Sequence, residues 1–543
     1  MRPQHSSILG AFLLGTAKAL ASPESHLSSA IEARSSSLDW APCELDLPGD
    51  IKNAMREPGD CATLQVPLDY TNQASSKTID LQLIRFNATK EPFKGSVLWN
   101  PGGPGISGIE TLAFLGPDFR DILGGHNHVI SFDPRGTGRT IPFSCSKTSS
   151  YSTPSRRSQK PLPQADLWPD VKKEKWESMT ELADRCYETE QEHGRYLGTA
   201  FTARDMMQIV DALGEDGKLR YWGISYGTIL GQVVASMFPD RMARVLLDSN
   251  SLADAYLTST GTGGPRDAEK SLMHFFDECV EIGPETCRLA NYSGPSTTSQ
   301  HLRTAVVDLF QKLIDTPELP TDSGLSPTEF PYGGNSILQQ LKYALLNELS
   351  SPLTYSATAE ILSYALEGNY KKALSVYQEV PSEWNLGTQS FSGIACSDSS
   401  FRVDTPEDLY SMYQSHLAES SLGDAIAADY MGCCAWRFDA AEGINTNELR
   451  NVNTSYPVLV INGAYDPITP LSFAWQVSSR FRGSRMLVHE GVGHGVTSHA
   501  SNCTLDAIAE YFKEGTLPEV GTVCKPNMSA FAYAKYVAAL RQS

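Results

Sequence analysis

Beyond its N-terminus the chain has no run that reaches the ~18 consecutive apolar residues a membrane-spanning helix needs. Basic residues are scarce. Lys and Arg number 44 against 63 Asp and Glu, giving a formal net charge of −19, and no local basic run offsets that balance. Such a surface repels phosphate backbones, which argues against a nucleic-acid partner. There is no internal repeat and no extended low-complexity tract, which excludes solenoids and fibrous arrays. The glycine-rich loop Pro101–Gly105 lacks the Lys-Ser/Thr of a phosphate-binding P-loop. Metal-ligand spacing is missing as well. His489 and His494 are five residues apart across two glycines, so they cannot share a helix face. His126 and His128 have no evident companion cluster. No metal or cofactor is expected.

An apolar fraction of 41% over 543 residues is ordinary for a globular protein and long enough for two lobes. The N-terminus reads as a leader: Arg2, an apolar segment from Ile8 to Leu14, and Ala19-Leu20-Ala21 as a small-x-small cleavage site. Eleven cysteines are few, but Cys43/Cys61, Cys279/Cys287 and Cys503/Cys524 lie close in sequence, as local disulfides often do. The odd total leaves a thiol over, expected within the pair Cys433-Cys434. Glycosylation sequons occur at Asn87, Asn291, Asn453, Asn502 and Asn527. Together these predict an exported, extracellular protein.

Alternation of apolar and polar residues predicts a strand over Thr78–Phe86. Apolar runs predict strands at Ser96–Asn100, His128–Asp133, Leu219–Gly223 and Val245–Leu247. A helix is predicted to begin at Thr202, with Asp205 completing a capping box, and another follows Ser225. From about Ser251 to Leu449 the alternation fades into a mainly helical stretch, for example Leu302–Ile314 and Ile337–Leu346. It returns with strands Val458–Ile461 and Met486–Val488 and helices Phe473–Phe481 and Leu505–Phe512. Strands alternating with helices imply a mostly parallel sheet with helices on both faces and an inserted helical cap. The expected division is a leader (1–21), an N-terminal extension (22–60), a first core part (61–250), the cap (251–449), a second core part (450–525) and a tail (526–543).

Gly223-Ile224-Ser225-Tyr226-Gly227 is a G-x-S-x-G sequence between a predicted strand and a helix, the setting of a nucleophile elbow. A serine oxygen is a weak nucleophile and needs a base. His494 lies between glycines after the last strand, and Asp466 follows strand Val458–Ile461. The order Ser, Asp, His is that of α/β-hydrolases. Asp248, at the end of strand Val245–Leu247, is the alternative acid; His489 and His499 are the alternative bases. A tetrahedral intermediate needs donors for its oxyanion. The N–H of Tyr226 supplies one, and the loop Gly102-Gly103 the other, with Gly103 preferred.

The runs Asn100–Gly105, Asp133–Gly138 and Gly223–Thr228 together resemble the tripeptidyl aminopeptidase and proline iminopeptidase group of α/β-hydrolases. Residues Pro457 to Cys524 resemble the tripeptidyl aminopeptidase-like C-terminal domain, through Tyr465–Pro470, Gly493-His494-Gly495, and Gly515–Pro518 before Cys524. The resemblance implies an α/β-hydrolase fold with a helical cap. It also implies release of short peptides or residues from a free N-terminus, the substrate amine being held by cap carboxylates that the match does not locate. It further implies disulfides Cys43–Cys61, Cys145–Cys186, Cys279–Cys287, Cys396 with Cys433 or Cys434, and Cys503–Cys524. The family usually has glycine where this chain has Ser249.

The expected partner is therefore a peptide or a small acyl substrate. An esterase, lactonase or thioesterase would use the same triad, since both chemistries pass through an acyl-enzyme. A binding module on a hydrolase scaffold would have no need of the full Ser/Asp/His set.

Overall fold

The computed structural model describes residues 38–45, 47–145, 162–259, 263–316, 336–376 and 387–540. The leader, the rest of the extension before residue 38, and all of the Ser-rich stretch Ser149–Ser158 lie outside the described residues.

Among the described residues, ten strands form one sheet: β1 (Ala41–Pro42), β2 (Asp60–Pro67), β3 (Thr78–Phe86), β4 (Ser96–Asn100), β5 (His128–Phe132), β6 (Leu219–Ser225), β7 (Met242–Asn250), β8 (Leu459–Tyr465), β9 (Arg485–Val492) and β10 (Val523–Cys524). Their spatial order is β1-β2-β3-β5-β4-β6-β7-β8-β9-β10. From β5 to β10 every neighbouring pair is parallel, while β1, β2 and β3 pair antiparallel at one edge. Side chains along a strand alternate between faces, and here they feed two separate cores. Leu98, Ile130, Tyr221, Val245, Leu247 and Val460 pack on one side, with Ile209 and Val233 from helices Thr199–Ala212 and Tyr226–Met237. Trp99, Val129, Trp222, Leu246 and Ile461 pack on the other, with Leu112 from helix Gly108–Ile122 and Ile508 from helix Asn502–Glu514. Near-continuous burial of β4 and β8 is what a doubly covered parallel sheet requires.

The cap lies between β7 and β8 in the chain, as the faded alternation predicted, and has its own core around Phe275, Phe310, Leu341, Leu345 and Tyr355. A pair of buried ions fixes part of it: Lys342 Nζ sits 2.6 Å from both carboxylate oxygens of Asp424. Helix Ala530–Leu540 also joins this core. The Phe531 ring packs tilted against Phe275 and edge-on to Tyr355, and Glu278 accepts the Ala530 N–H at 2.7 Å. Residues 526–543 are therefore not a free tail up to Leu540. From residue 38 the described part of the extension likewise belongs to the core domain, because β1 adds to the sheet edge and Leu47 is buried.

The capping box at Thr202 and Asp205 does not form. The helix starts earlier, at Thr199, whose N–H donates to the Asp398 carboxylate at 2.8 Å. Asp205 is instead buried against Arg135, which donates to it from Nε at 2.6 Å and from one terminal nitrogen at 2.8 Å. A paired, buried guanidinium is a stronger claim on a carboxylate than a helix end. Five disulfides join Cys43–Cys61, Cys145–Cys186, Cys279–Cys287, Cys396–Cys433 and Cys503–Cys524. Cys434, a candidate for the fourth pair, is a buried thiol. The two neighbours face different clusters: Cys433 packs beside Cys396 in the sheet core, whereas Cys434 packs with Met179, Leu409 and Tyr413.

Candidate active site

Ser225 ends β6 and precedes helix Tyr226–Met237 with φ 59° and ψ −123°. A non-glycine residue in this region stores on the order of 1–3 kcal/mol of strain, so the surroundings must enforce it. They do so through glycines. A Cβ on Gly223 would come within 2.2 Å of the Gly227 carbonyl oxygen, and one on Gly227 within 2.9 Å of the Asn100 carbonyl oxygen. The turn is thus closed too tightly for any side chain on either flank. The Tyr226 N–H is the first of its helix and has no intrahelical acceptor.

The loop after β4 lies directly over this elbow. A Cβ on Gly102 would sit 2.8 Å from the Ser225 Cβ. The Gly102 N–H is spent on the Asn100 side chain at 3.0 Å. Gly103, at φ +102°, lines the same cavity as Ser225 and Tyr226. The loop is held from below by Asp133, which accepts from the Ser107 hydroxyl at 2.7 Å and from the N–H groups of Ile109 and Arg139 at 3.2 and 3.0 Å. The cap reaches the neighbouring loop after β5, where Ser390 donates to the Gly136 carbonyl.

Asp466 follows β8 and is fully buried. Its Oδ1 accepts the N–H groups of Ile468 and Thr469, both at 2.9 Å, and its Oδ2 accepts the Thr469 hydroxyl at 2.7 Å. His494 Nδ1 lies 2.9 Å from Oδ2 and 3.2 Å from Oδ1. Burial works to raise the Asp466 pKa, but the adjacent imidazole and these donors outweigh it and hold the carboxyl below its ordinary range. For His494, burial works the other way, and the attraction and hydrogen bond of Asp466 more than offset it, leaving the ring more basic than a free imidazole. The sequence motifs do not single out Thr469; its signal is a hydroxyl three residues after the acid.

The His494 loop is fastened at three consecutive N–H groups. His494 donates to the Ser350 carbonyl of the cap at 2.8 Å, Gly495 to the Ser249 hydroxyl at 2.7 Å, and Val496 to Asp248 at 3.1 Å. Ser249 stands at φ 55°, in the left-handed region where glycine fits without strain. Its hydroxyl supplies an acceptor that glycine could not. Asp248 also accepts from the Trp222 indole at 3.3 Å, and its buried carboxyl is pushed up to about 7. It makes no hydrogen bond to the His494 ring among the described residues.

His489 and His499 are not brought to Asp466. His489 Nδ1 meets the Thr504 hydroxyl at 3.0 Å, and burial depresses its pKa to about 4. His499 lies 2.9 Å from the Met528 carbonyl. His128 accepts the Ala88 N–H at 2.9 Å, and His126 lies 3.2 Å from the Pro92 carbonyl oxygen. The sequon asparagines Asn87, Asn291, Asn453, Asn502 and Asn527 are all exposed, and Asn527 donates to Asn502 at 2.7 Å.

A cavity of about 310 Å³ opens beside Ser225 between core and cap, lined by Gly103, Tyr226 and a largely apolar wall.

Comparison with known proteins agrees with this architecture. Residues 95–270 match the family described as "alpha/beta hydrolase fold", and residues 419–524 match the "TAP-like protein" family. The chain is 25% identical over 514 residues to a tripeptidyl aminopeptidase of Streptomyces lividans, covering 92% of this chain and 88% of that protein. It is 25% identical over 505 residues to the serine protease Hip1 of Mycobacterium tuberculosis, covering 90% and 91%. It is also 26% identical over 491 residues to carboxylesterase B of the same species, covering 86% of each. The chain is a serine hydrolase that belongs to the tripeptidyl aminopeptidase-like family of α/β-hydrolases.

Proposed function

We propose that this protein is an exported serine aminopeptidase that releases short peptides or single residues from free N-termini through an acyl-enzyme, with Ser225 as nucleophile, His494 as base and Asp466 as its orienting acid. The observation that carries the site is the short contact of His494 Nδ1 with the buried Asp466 carboxylate. That contact keeps the proton on Nδ1 and leaves Nε2 as the acceptor for the Ser225 proton. Ser225 Oγ attacks the acyl carbon as His494 takes its proton. The developing oxyanion is met by the N–H groups of Gly103 and Tyr226. Collapse expels the amine, which takes the proton back from His494, and a water molecule repeats the sequence to free the acyl product.

The peptidase reading rests on similarity to a tripeptidyl aminopeptidase over both core parts and the cap. Export rests on the leader at residues 1–21 together with five disulfides, which persist in oxidising compartments. The five exposed sequons would then be available as glycan acceptors. An esterase reading has one specific support, the similarity to carboxylesterase B.

The deciding experiment is to assay the purified protein on tripeptidyl and aminoacyl amides, free and N-acetylated, beside simple esters. The expected outcome is cleavage of the free-amine amides and loss on acetylation, with turnover falling by several orders of magnitude in Ser225→Ala. Equal rates on blocked and free amides, or activity on esters alone, would replace the aminopeptidase reading with an endopeptidase or esterase one.

A further inference from the structure

The cavity beside Ser225 has walls from three separated parts of the chain. Leu252, Ala255 and Tyr256 follow β7, Phe391 and Ala395 come from cap helix Gly387–Asp398, and Ile468 and Phe473 follow the acid. Among the described residues, no Asp, Glu, Lys, Arg or His lines it. The ionised group behind the Tyr256 wall, Asp398, already accepts from the Thr199 N–H and hydroxyl at 2.8 and 2.5 Å and from the Tyr256 hydroxyl at 3.0 Å. A charged substrate group entering here would lose much of its hydration and find no countercharge among the described lining residues, which is strongly unfavourable. An apolar group would gain from the same burial.

The cavity also has a direction. Its lining includes Ser225, Gly103 and Tyr226, which surround the acyl carbonyl, but not His494. The leaving group must take its proton from His494 and therefore departs on that side. The cavity opens at Ser225, Gly103 and Tyr226, where the acyl portion remains attached to Ser225, and its lining meets the histidine only through Thr469, whose hydroxyl is 3.3 Å from Nδ1 rather than from the Nε2 that serves the leaving group. At about 310 Å³ it is at the small end of small-molecule sites, room for one bulky side chain or a short linear chain.

We propose that this cavity is the acyl-side specificity pocket, and that it selects a neutral, apolar group, a residue of Leu or Phe size or a short unbranched acyl chain, next to the bond that is cleaved. The proposal rests on Ser225 being the nucleophile, but not on the leaving group being an amine.

The test measures kcat/KM of the full chain on p-nitrophenyl esters from acetate to octanoate, and on free-amine aminoacyl and tripeptidyl p-nitroanilides that end in Leu, Phe, Lys or Glu. Each added methylene that enters the cavity should raise the ester value by about fourfold until the cavity is full. The Leu and Phe anilides should exceed Lys and Glu by roughly 100-fold, as expected where a charge must be buried unpaired. Ala395→Phe fills the cavity from the cap. Ala255→Phe fills it from a half-buried position that the core does not need, and serves if the first variant folds poorly. In either, the optimum should move toward acetate. A flat ester profile, preference for Lys or Glu, or folded filled variants with the parental profile would overturn the pocket. An ester gradient without anilide cleavage would keep the pocket and remove the aminopeptidase reading. Anilide cleavage without apolar preference would do the reverse. No turnover on either series, or full turnover in Ser225→Ala, would remove both.

Discussion

Replacing Asp466 by asparagine changes one atom at the point where the site is most tightly determined. Oδ1 of Asp466 faces two backbone N–H groups, those of Ile468 and Thr469, both at 2.9 Å. The carbonyl oxygen of an asparagine is therefore pinned at that position, and its NH₂ group must take the place of Oδ2. There it faces His494 Nδ1, 2.9 Å from the present oxygen, and the Thr469 hydroxyl. A donor opposite Nδ1 forces that nitrogen to accept, so the ring proton moves to Nε2 and the base can no longer take the proton from Ser225. The variant should fold and lose turnover on the order of 10⁴-fold, about 5.5 kcal/mol of transition-state stabilisation. Asp248→Asn is the matched control. Asp248 is already held up at about 7 by burial, and its listeners are the Val496 N–H and the Trp222 indole rather than the His494 ring. An amide oxygen still accepts from either, so turnover should fall by less than about tenfold. Both variants are to be measured on one substrate with thermal unfolding alongside. If Asp248→Asn is the inactive protein while Asp466→Asn turns over normally, the acid is at the end of β7 and the reasoning fails.

Activity should require neutral His494. Because Asp466 raises the pKa of that ring, activity should be lost as pH falls through a midpoint above the ordinary value of about 6.5, and an acid limb centred below that value would contradict the pairing. Ser249→Ala should destabilise the protein by about 1–3 kcal/mol by leaving the buried Gly495 N–H without its acceptor, and Ser249→Gly should recover about 1 kcal/mol by relieving the positive φ; denaturant midpoints in which the alanine variant matches the parent would sink this. In the cap, Lys342→Met leaves the Asp424 carboxylate buried and unpaired, with side-chain exposures of 0% and 4% in the parent, and should cost about 3–5 kcal/mol in urea unfolding. Lys342→Met combined with Asp424→Leu should restore most of that loss, and a double variant as unstable as the single one would show that the pair is not the cause.

The order of strands and helices, the elbow at Ser225, the glycine loop after β4 and the positions of Asp466 and His494 were legible in the sequence. Each depends on local chemistry: apolar runs of strand length, glycines where a side chain would collide, and polar residues placed just past strand ends. Strand β3 was legible to the residue because it is covered unevenly and alternates, whereas β8 extends beyond its predicted end, since residues buried on both sides carry no period to mark a boundary. What only the tertiary structure decided are contacts between segments far apart in the chain. Thr199 starts its helix because Asp398, from the cap, accepts its N–H, and Asp205 turns to Arg135 instead of capping. Cys396 reaches Cys433 rather than Cys434 because adjacent residues face opposite clusters. Helix Ala530–Leu540 packs on the cap through Phe531, although its neighbours in sequence belong to the core. Local propensity fixes which residues can turn, pair or bend; which distant carboxylate, thiol or ring satisfies them depends on burial, and burial exists only once the whole chain has closed around its cores.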